Sequence, residues 1–290
     1  MTDRAPNWIE QKYIKGVIHE LQSEGWTLKT ALNSTGEIKA GKAIWKIAGK
    51  GVATRVSRGV SHVAIMNADR RTIETTVEDY EANDYIDTLD IEKMSENEMQ
   101  VAQKTGGSAL GRKFDQLVLG AMDAEGASIA TIGDGTAALS ITHLIEAQAK
   151  IIDAGGSPGE LYVAMPVWWL AQLELYKEVS SCQYVEDQPM LKKLGARMWK
   201  GMTLIPLPEG TTTDERMFAR PAANQADGYI WAKDAVGLVP NYALRSRIDY
   251  VPQVAQYLAL NRMGLGHKVL LPDAVKRLRF ATNVALTRQT

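Results

Sequence analysis

The apolar positions change period several times along the chain, and each change marks an element. In MSENEMQVAQKTGGSALGRKFDQLVLGAM, residues 94–122, Leu110, Phe114, Leu117, Val118 and Ala121 return at three- and four-residue steps, which makes one face of a helix. Ser95 stands three residues before Glu98, the spacing of a capping box that would start it. At 1.5 Å per residue this stretch would span roughly 43 Å, long for a globular domain. Gly106, Gly107 and Gly111 fall inside the pattern, where each costs about 1 kcal/mol relative to Ala. The pattern predicts a long strut that can bend at its glycines.

The flanking segments have other periods. Trp8, Ile9, Tyr13, Ile14, Val17, Ile18 and Leu21 keep helical spacing until Gly25. TLKTALNSTGEIKAG then reads as a polar arm that orders only against a neighbour. A small helix packed on its own domain is the alternative for this region. Two Val/Ile/Thr-rich runs, GVATRVSRGVSHVAI and RRTIETTVED, predict two long antiparallel strands.

Beyond the strut, ASIATIGDGTAALS predicts a strand and a turn. A helix is expected over 139–153, where Ile141, Leu144, Ile145, Gln148, Ile151 and Ile152 keep register. Leu161–Met165 reads as a short strand, and Pro166 as the opening of a helix through VWWLAQLELYKEV. Thr203–Glu209 predicts an edge strand, because Pro206 and Pro208 bar a central one. Tyr229–Ala232 and Val236–Val239 suggest a hairpin around Lys233-Asp234, and 245–262 and 274–280 two further strands. Residues 180–200 are irregular, and 210–226 form an exposed loop.

Charge sharpens this picture. From Lys39 to Arg71, eight basic residues (Lys39, Lys42, Lys46, Lys50, Arg55, Arg58, Arg70, Arg71) face one acid, Asp69. From Glu74 to Glu98, ten acids (Glu78, Asp79 and Asp84 among them) face only Lys93. The two halves of a hairpin could neutralise each other across its strands. Alternatively the hairpin projects, and Lys46, Lys50, Arg55 and Arg58 of one copy meet Glu78, Asp79 and Asp84 of the next. From Leu244 onward, eight basic residues stand against Asp249 and Asp273. These suit either a nucleic-acid-facing surface or ion pairs to the acidic run. Over all 290 residues the net charge is −1, which argues against a globally basic nucleic-acid binder.

Catalytic and metal chemistry finds little support. The single cysteine, Cys182, allows neither an intrachain disulfide nor a cysteine zinc cluster. His19, His62, His143 and His267 are scattered, and His143 with Glu146 lacks a third ligand nearby. Gly106-x4-Gly111 resembles a phosphate loop, but Arg112 and Lys113 stand where Lys and Ser/Thr belong. Trp168-Trp169 could form a stacking platform, although a core-and-interface pair is the commoner use. No cofactor is expected. MTDRAPNWIEQK lacks a signal-peptide pattern, and no run nears the ~18 apolar residues of a membrane span, so a cytosol-like compartment is expected.

The order of elements, with several stretches, resembles the major capsid proteins of tailed bacteriophages, with a nearer likeness to the coat proteins of short-tailed T-odd podophages. KAGKAIWKIAGKGVATRV looks like that group's entry into its extended loop. ETTVEDYEANDYIDTLDIEKMSENEMQVAQKTGGSALGRKFDQLVLGAM looks like its acidic strand running into the spine helix, with Asp87, Asp90, Ala109-Leu110-Gly111 and Asp115 as the similar points. ALSITHLIEAQAKIIDAGGSPGELYVAMPVWWLAQL, KGMTLIPLPEG and MGLGHKVLLPDAVKRLRF follow in the family's order. The likeness covers about 40–280, while 178–200 match poorly and the first 35 residues are unplaced.

The resemblance implies an α+β fold of the Hong Kong 97 type. Its parts would be an N-terminal arm (1–41), an extended β-hairpin loop (42–93), a peripheral domain with the spine helix (94–160), an axial domain (161–245), and C-terminal strands returning to the peripheral domain (246–290). It implies a non-enzymatic shell protein, assembling with itself as pentamers and hexamers around double-stranded DNA in the host bacterial cytoplasm. A scaffolding protein, a portal and a decoration protein would be its partners, and no membrane. The alternatives are an encapsulin-like compartment carrying enzyme cargo and an α/β metabolic enzyme.

Overall fold

A computed structural model describes residues 24–55, 65, 66, 68–87, 98–157, 159–176, 196–210 and 216–285. The helix expected over Trp8–Leu21, the Ser95 half of the capping box and Cys182 lie outside the described residues. Within them, the structure has three sheets, one of which carries the long helix. Strands β1 (Glu37–Lys39), β2 (Lys42–Ala48) and β3 (Arg70–Thr76) form an antiparallel sheet in that order. Strand β4 (Glu78–Asp87) belongs to a different sheet. It pairs antiparallel with β11 (Gln256–Val269), which pairs in turn with β10 (Val236–Val251). Helix α1 (Glu98–Ala124) packs on this second sheet.

The predicted strut is therefore present. Its 27 residues give it a length of about 40 Å. Ala102, Leu110, Phe114, Val118, Leu119 and Met122 are buried along one stripe, as the periodicity requires.

The third sheet has six strands in the order β5 (Ala130–Ile132), β12 (Val275–Ala281), β9 (Gln225–Ala232), β6 (Leu161–Pro166), β8 (Met202–Leu207) and β7 (Arg197–Trp199). Helices α2 (Ile141–Asp153) and α3 (Val167–Glu174) pack against it. Strands β9 and β12 are buried along almost their whole length, on both faces, so neither shows an alternation of buried and exposed positions.

Several expectations are corrected. TLKTALNSTGEIKAG is not a free arm: Leu28, Ala31 and Leu32 are buried in the main core, Asn33 bridges Gly237, and β1 pairs with β2. Among the described residues the acidic run does not pair with the basic one beyond Glu74, because β3 ends at Thr76 and Val77 turns the chain onto β11. The Val77 amide donates to the Gly41 carbonyl at 3.0 Å. Strand β8 is not an edge strand. It lies between β6 and β7, but β7 covers only Met202–Leu204, so Pro206 sits where that side of the ladder has ended. Strands β9 and β10 form no hairpin with each other. Both neighbours of β9 are already taken, by β12 and β6, and the 3-10 turn Lys233–Ala235 sends β10 into the other sheet. Finally, 245–262 is not one strand but the end of β10, a turn at residues 252–255, and the start of β11.

Candidate functional site: an assembly interface

The candidate surface consists of the hairpin β2–β3 with its connecting loop and the three-stranded sheet under α1. The hairpin is fixed at its base. The Trp45 indole is buried with Ala43, Val239 and Leu270, and it lies so close to Gly36 and Gly237 that a Cβ at either would fall within 3 Å of the ring. Lys42 pairs with Glu74 at 2.9 Å, and the Gly49 amide donates to the Asp69 carbonyl at 2.5 Å.

Beyond that point the loop presents apolar side chains to solvent: Val52 is 77%, Ile65 86% and Met66 60% exposed. Arg55 in the loop and Lys46 on β2 are exposed, and Arg58 lies outside the described residues. Lys50 is placed differently from the sequence expectation. Its ammonium donates to the Ala154 carbonyl at 2.8 Å, at the C-terminus of α2, where a cation is favoured by the helix dipole.

The acidic strand β4 alternates. Tyr80, Ala82 and Ile86 turn toward α1, with the Lys113 ammonium 5.6 Å from the Tyr80 ring centre. The Tyr80 hydroxyl donates to the Glu78 carboxylate, and burial together with that bond pushes its pKa up to about 12. Glu81 meets Arg262 of β11 at 2.7 Å, so part of the C-terminal basic charge is spent on the acidic run within one chain. Burial and the neighbouring Asp79 carboxylate raise the Tyr242 pKa. Asp84 stands exposed, opposite Ala259. The structure thus brings Glu78, Asp79 and Asp84 together on one strand and leaves Lys46 on β2 and Arg55 in the loop beyond it, with no ion pair between the two groups among the described residues.

Helix α1 runs unbroken through its three glycines. A phosphate loop is excluded there, because the amides of this stretch lie inside a helix. Two of the glycines admit a neighbour. At Gly106 a Cβ would lie 2.9 Å from Asn261 Cγ, and the Asn261 amide there donates to the Ala82 carbonyl at 3.0 Å. At Gly111 it would meet the Glu24 carbonyl and lie 2.6 Å from Trp26 Cδ1. Gly25, at φ +71°, packs its backbone on Gly111. At Gly107 the nearest atom is Leu244 Cδ2 at 3.6 Å, an ordinary contact.

One turn further along α1, Asp115 is fully buried. It accepts from the Thr27 amide (3.1 Å), the Thr27 hydroxyl (2.8 Å) and the Leu28 amide (3.1 Å). Burial raises its pKa, and the three hydrogen bonds oppose that rise.

A second buried charge group fixes the end of α1 to the six-stranded sheet. Arg279 holds Asp227 through two 2.8 Å bonds, and Arg277 reaches Asp123 at 3.1 Å and Asp227 at 3.6 Å. Sequence reasoning missed this cluster, although Lys276, Arg277 and Arg279 inside an otherwise apolar strand were a visible signal. The remaining candidates have local tasks. His143 Nδ1 lies 2.8 Å from the Ser140 hydroxyl and accepts the Ser140 amide at 3.3 Å, closing the cap of α2, while Glu146 pairs with Lys150 at 2.6 Å. Trp169 is buried and donates to the Ala281 carbonyl, whereas Trp168 stays partly exposed and donates to that of Val284.

The chain belongs to the family described as Phage capsid protein, whose model matches residues 5–281. It is thus a structural, non-enzymatic component of the virion capsid. None of the curated proteins compared with it matches. Solved structures resemble it along nearly its full length. The capsid of cyanophage P-SCSP1u has a TM-score of 0.69 at 15% identity, over 95% of this chain and 94% of that one. The capsid of Ralstonia phage GP4 has a TM-score of 0.69 at 10% identity, over 98% of each chain. A chain of Mycobacterium phage Che8 has a TM-score of 0.64 at 14% identity, over 97% and 100%. The fold is accordingly the α+β fold of the Hong Kong 97 type.

Proposed function

We propose that the protein assembles into pentamers and hexamers that close an icosahedral head shell around double-stranded DNA, in the manner of the short-tailed T-odd group. The observation that carries this is the loop of β2–β3. It exposes Val52, Ile65 and Met66 among basic residues, an arrangement that suits docking on another copy and not solvent. The acidic strand β4 supplies charge of the opposite sign, with Glu78, Asp79 and Asp84 as acceptors for Lys46, Arg55 and Arg58 of a neighbour. Lys50 joins them only if it leaves Ala154.

Head-to-tail contacts of this kind close into rings. A net charge of −1 suits a shell that must hold DNA without gripping it. The division into arm (1–41), extended loop (42–93), peripheral (94–160), axial (161–245) and returning (246–290) parts belongs to the same reading, as do scaffolding, portal and decoration partners and assembly in the host cytoplasm. Gly106, Gly107 and Gly111 remain the proposed bend of the spine during expansion, with the condition that Asn261 and the 24–26 backbone move with it.

Negative-stain microscopy of the purified protein tests the reading. Uniform shells that co-purify DNA are expected. A 30 kDa-class monomer at high concentration would overturn assembly, and shells filled with protein cargo would overturn the DNA-enclosing role. Arg55→Glu with Arg58→Glu should abolish shells and leave the unfolding midpoint of the unassembled chain unchanged. Equal loss of both would show that the loop serves its own subunit.

A further inference from the structure

Between α1, the turn that follows Trp26 and the first half of β10 lies a groove of about 200 Å³, lined by Trp26, Phe114, Leu238, Pro240, Tyr242 and Leu244 among others. An apolar cavity of about 150 Å³ is enough to hold a benzene ring, so this one has room for more than one aliphatic group. Its place in the chain is informative. Trp26, near the N-terminal end of the described residues, is itself part of the groove wall. Trp26 is also held in position, by the Gly25–Gly111 backbone contact before it and by the three hydrogen bonds to Asp115 after it. Residues 1–23 are therefore covalently joined to the body beside an open apolar groove.

The sequence of that preceding chain has matching chemistry. Ile14, Val17, Ile18 and Leu21 stand at i, i+3, i+4 and i+7, the anchor spacing of an amphipathic helix laid into an apolar groove. From Leu21 to Trp26 is five residues, a reach of up to about 17 Å. A tether this short holds the segment at an effective concentration of order millimolar, which favours the chain's own segment over that of a second copy.

We propose that the groove seats the chain's own N-terminal segment, with Ile14, Val17, Ile18 and Leu21 as its anchors. A monomer suffices for this, so the proposal stands apart from shell assembly. The test is made on the full chain with Cys182→Ser. Ile18→Cys is combined with Leu244→Cys at the groove rim and oxidised at low protein concentration. The expected product is an intrachain disulfide, seen as a faster-migrating monomer on a non-reducing gel that reverts with reductant. Ile18→Cys with Met198→Cys, an exposed position on β7 outside the groove, should give none. A dimer band, no crosslink, or equal crosslinking in the two pairs would each overturn the proposal. Should the cysteine pair fail to fold, Ile14→Asp with Ile18→Asp leaves the groove intact. Hydrogen exchange over residues 238–244 should then rise about tenfold as the cover is lost, and unchanged exchange would refute it.

Discussion

Single alanine substitutions at the three glycines of α1 separate two reasons for having glycine in a long helix. If flexibility were the only reason, each Gly→Ala change would stabilise the helix by about 1 kcal/mol, and the three would behave alike. The surroundings argue otherwise. At Gly107 the added methyl makes ordinary contact with Leu244, so the full gain of about 0.5–1 kcal/mol should appear. At Gly106 the methyl displaces the Asn261 side chain, which is buried and donates to the Ala82 carbonyl. An orphaned buried donor costs about 1–3 kcal/mol, and forced overpacking about 1–3 kcal/mol more. Set against the helical gain, Gly106→Ala should lose about 1–5 kcal/mol. Gly111→Ala should lose at least as much, because the methyl meets the Glu24 backbone, which cannot rotate away as a side chain can. Urea unfolding of the three unassembled variants, followed by far-UV circular dichroism, gives the ordering. A Gly106→Ala variant as stable as the parent, or a Gly107→Ala variant as damaged as Gly106→Ala, would refute the packing argument.

Other outcomes follow from the buried charges. Asp227→Ala leaves Arg277 without its buried carboxylate and should cost about 3–5 kcal/mol, read as a drop in the urea midpoint. Asp115→Ala removes the carboxylate that accepts all three hydrogen bonds from Thr27 and Leu28, and it should raise hydrogen exchange at residues 26–32 before it affects β9 or β12. Burial holds the His267 pKa below the ordinary 6.5, so the folded chain binds that proton less readily than the unfolded one. The stability this group contributes is therefore complete above about pH 6.5 and declines as the pH falls below it. Asp115, its pKa raised by burial, acts in the opposite direction in acid, so the comparison must be with His267→Gln, whose midpoint should fall less than the parent's between pH 7.5 and 5.5. Equal falls would show that His267 makes no such contribution.

The helices were legible in the sequence because their signal is local. Leu110, Phe114 and Val118 carry the period of α1 in their own spacing, Ile141, Leu144 and Ile151 carry that of α2, and Pro166 marks the start of α3. Strand partners were not legible, because a strand's period says which face is buried and not which neighbour hydrogen-bonds to it. The acidic run was recognised as a strand, yet its partners on β11 run from Gln256 opposite Asp87 to Leu265 opposite Glu78, far away along the chain. Likewise β8, with two prolines nearby, looked like an edge, and only the short reach of β7 explains how it sits inside the sheet. The charge blocks showed in the sequence where opposite signs collect. They did not show that Lys50 is taken by Ala154 or that Arg262 is taken by Glu81. The buried Asp227 cluster depends on three elements meeting, and no short window of sequence contains all three.

The single residue between β3 and β4 has a mechanical consequence. Only Val77 separates a strand of the hairpin from a strand that underlies the spine, so a tug on the loop enters β4 end-on at Glu78. From there it meets a ladder in register from Glu78↔Leu265 to Asp87↔Gln256. A load applied along a strand is shared by all the rungs of such a ladder, whereas one applied across it opens them one at a time. The hairpin is in this sense a handle attached in the strong direction, and strain gathered at its tip would be delivered to the sheet beneath α1 without first unzipping the subunit.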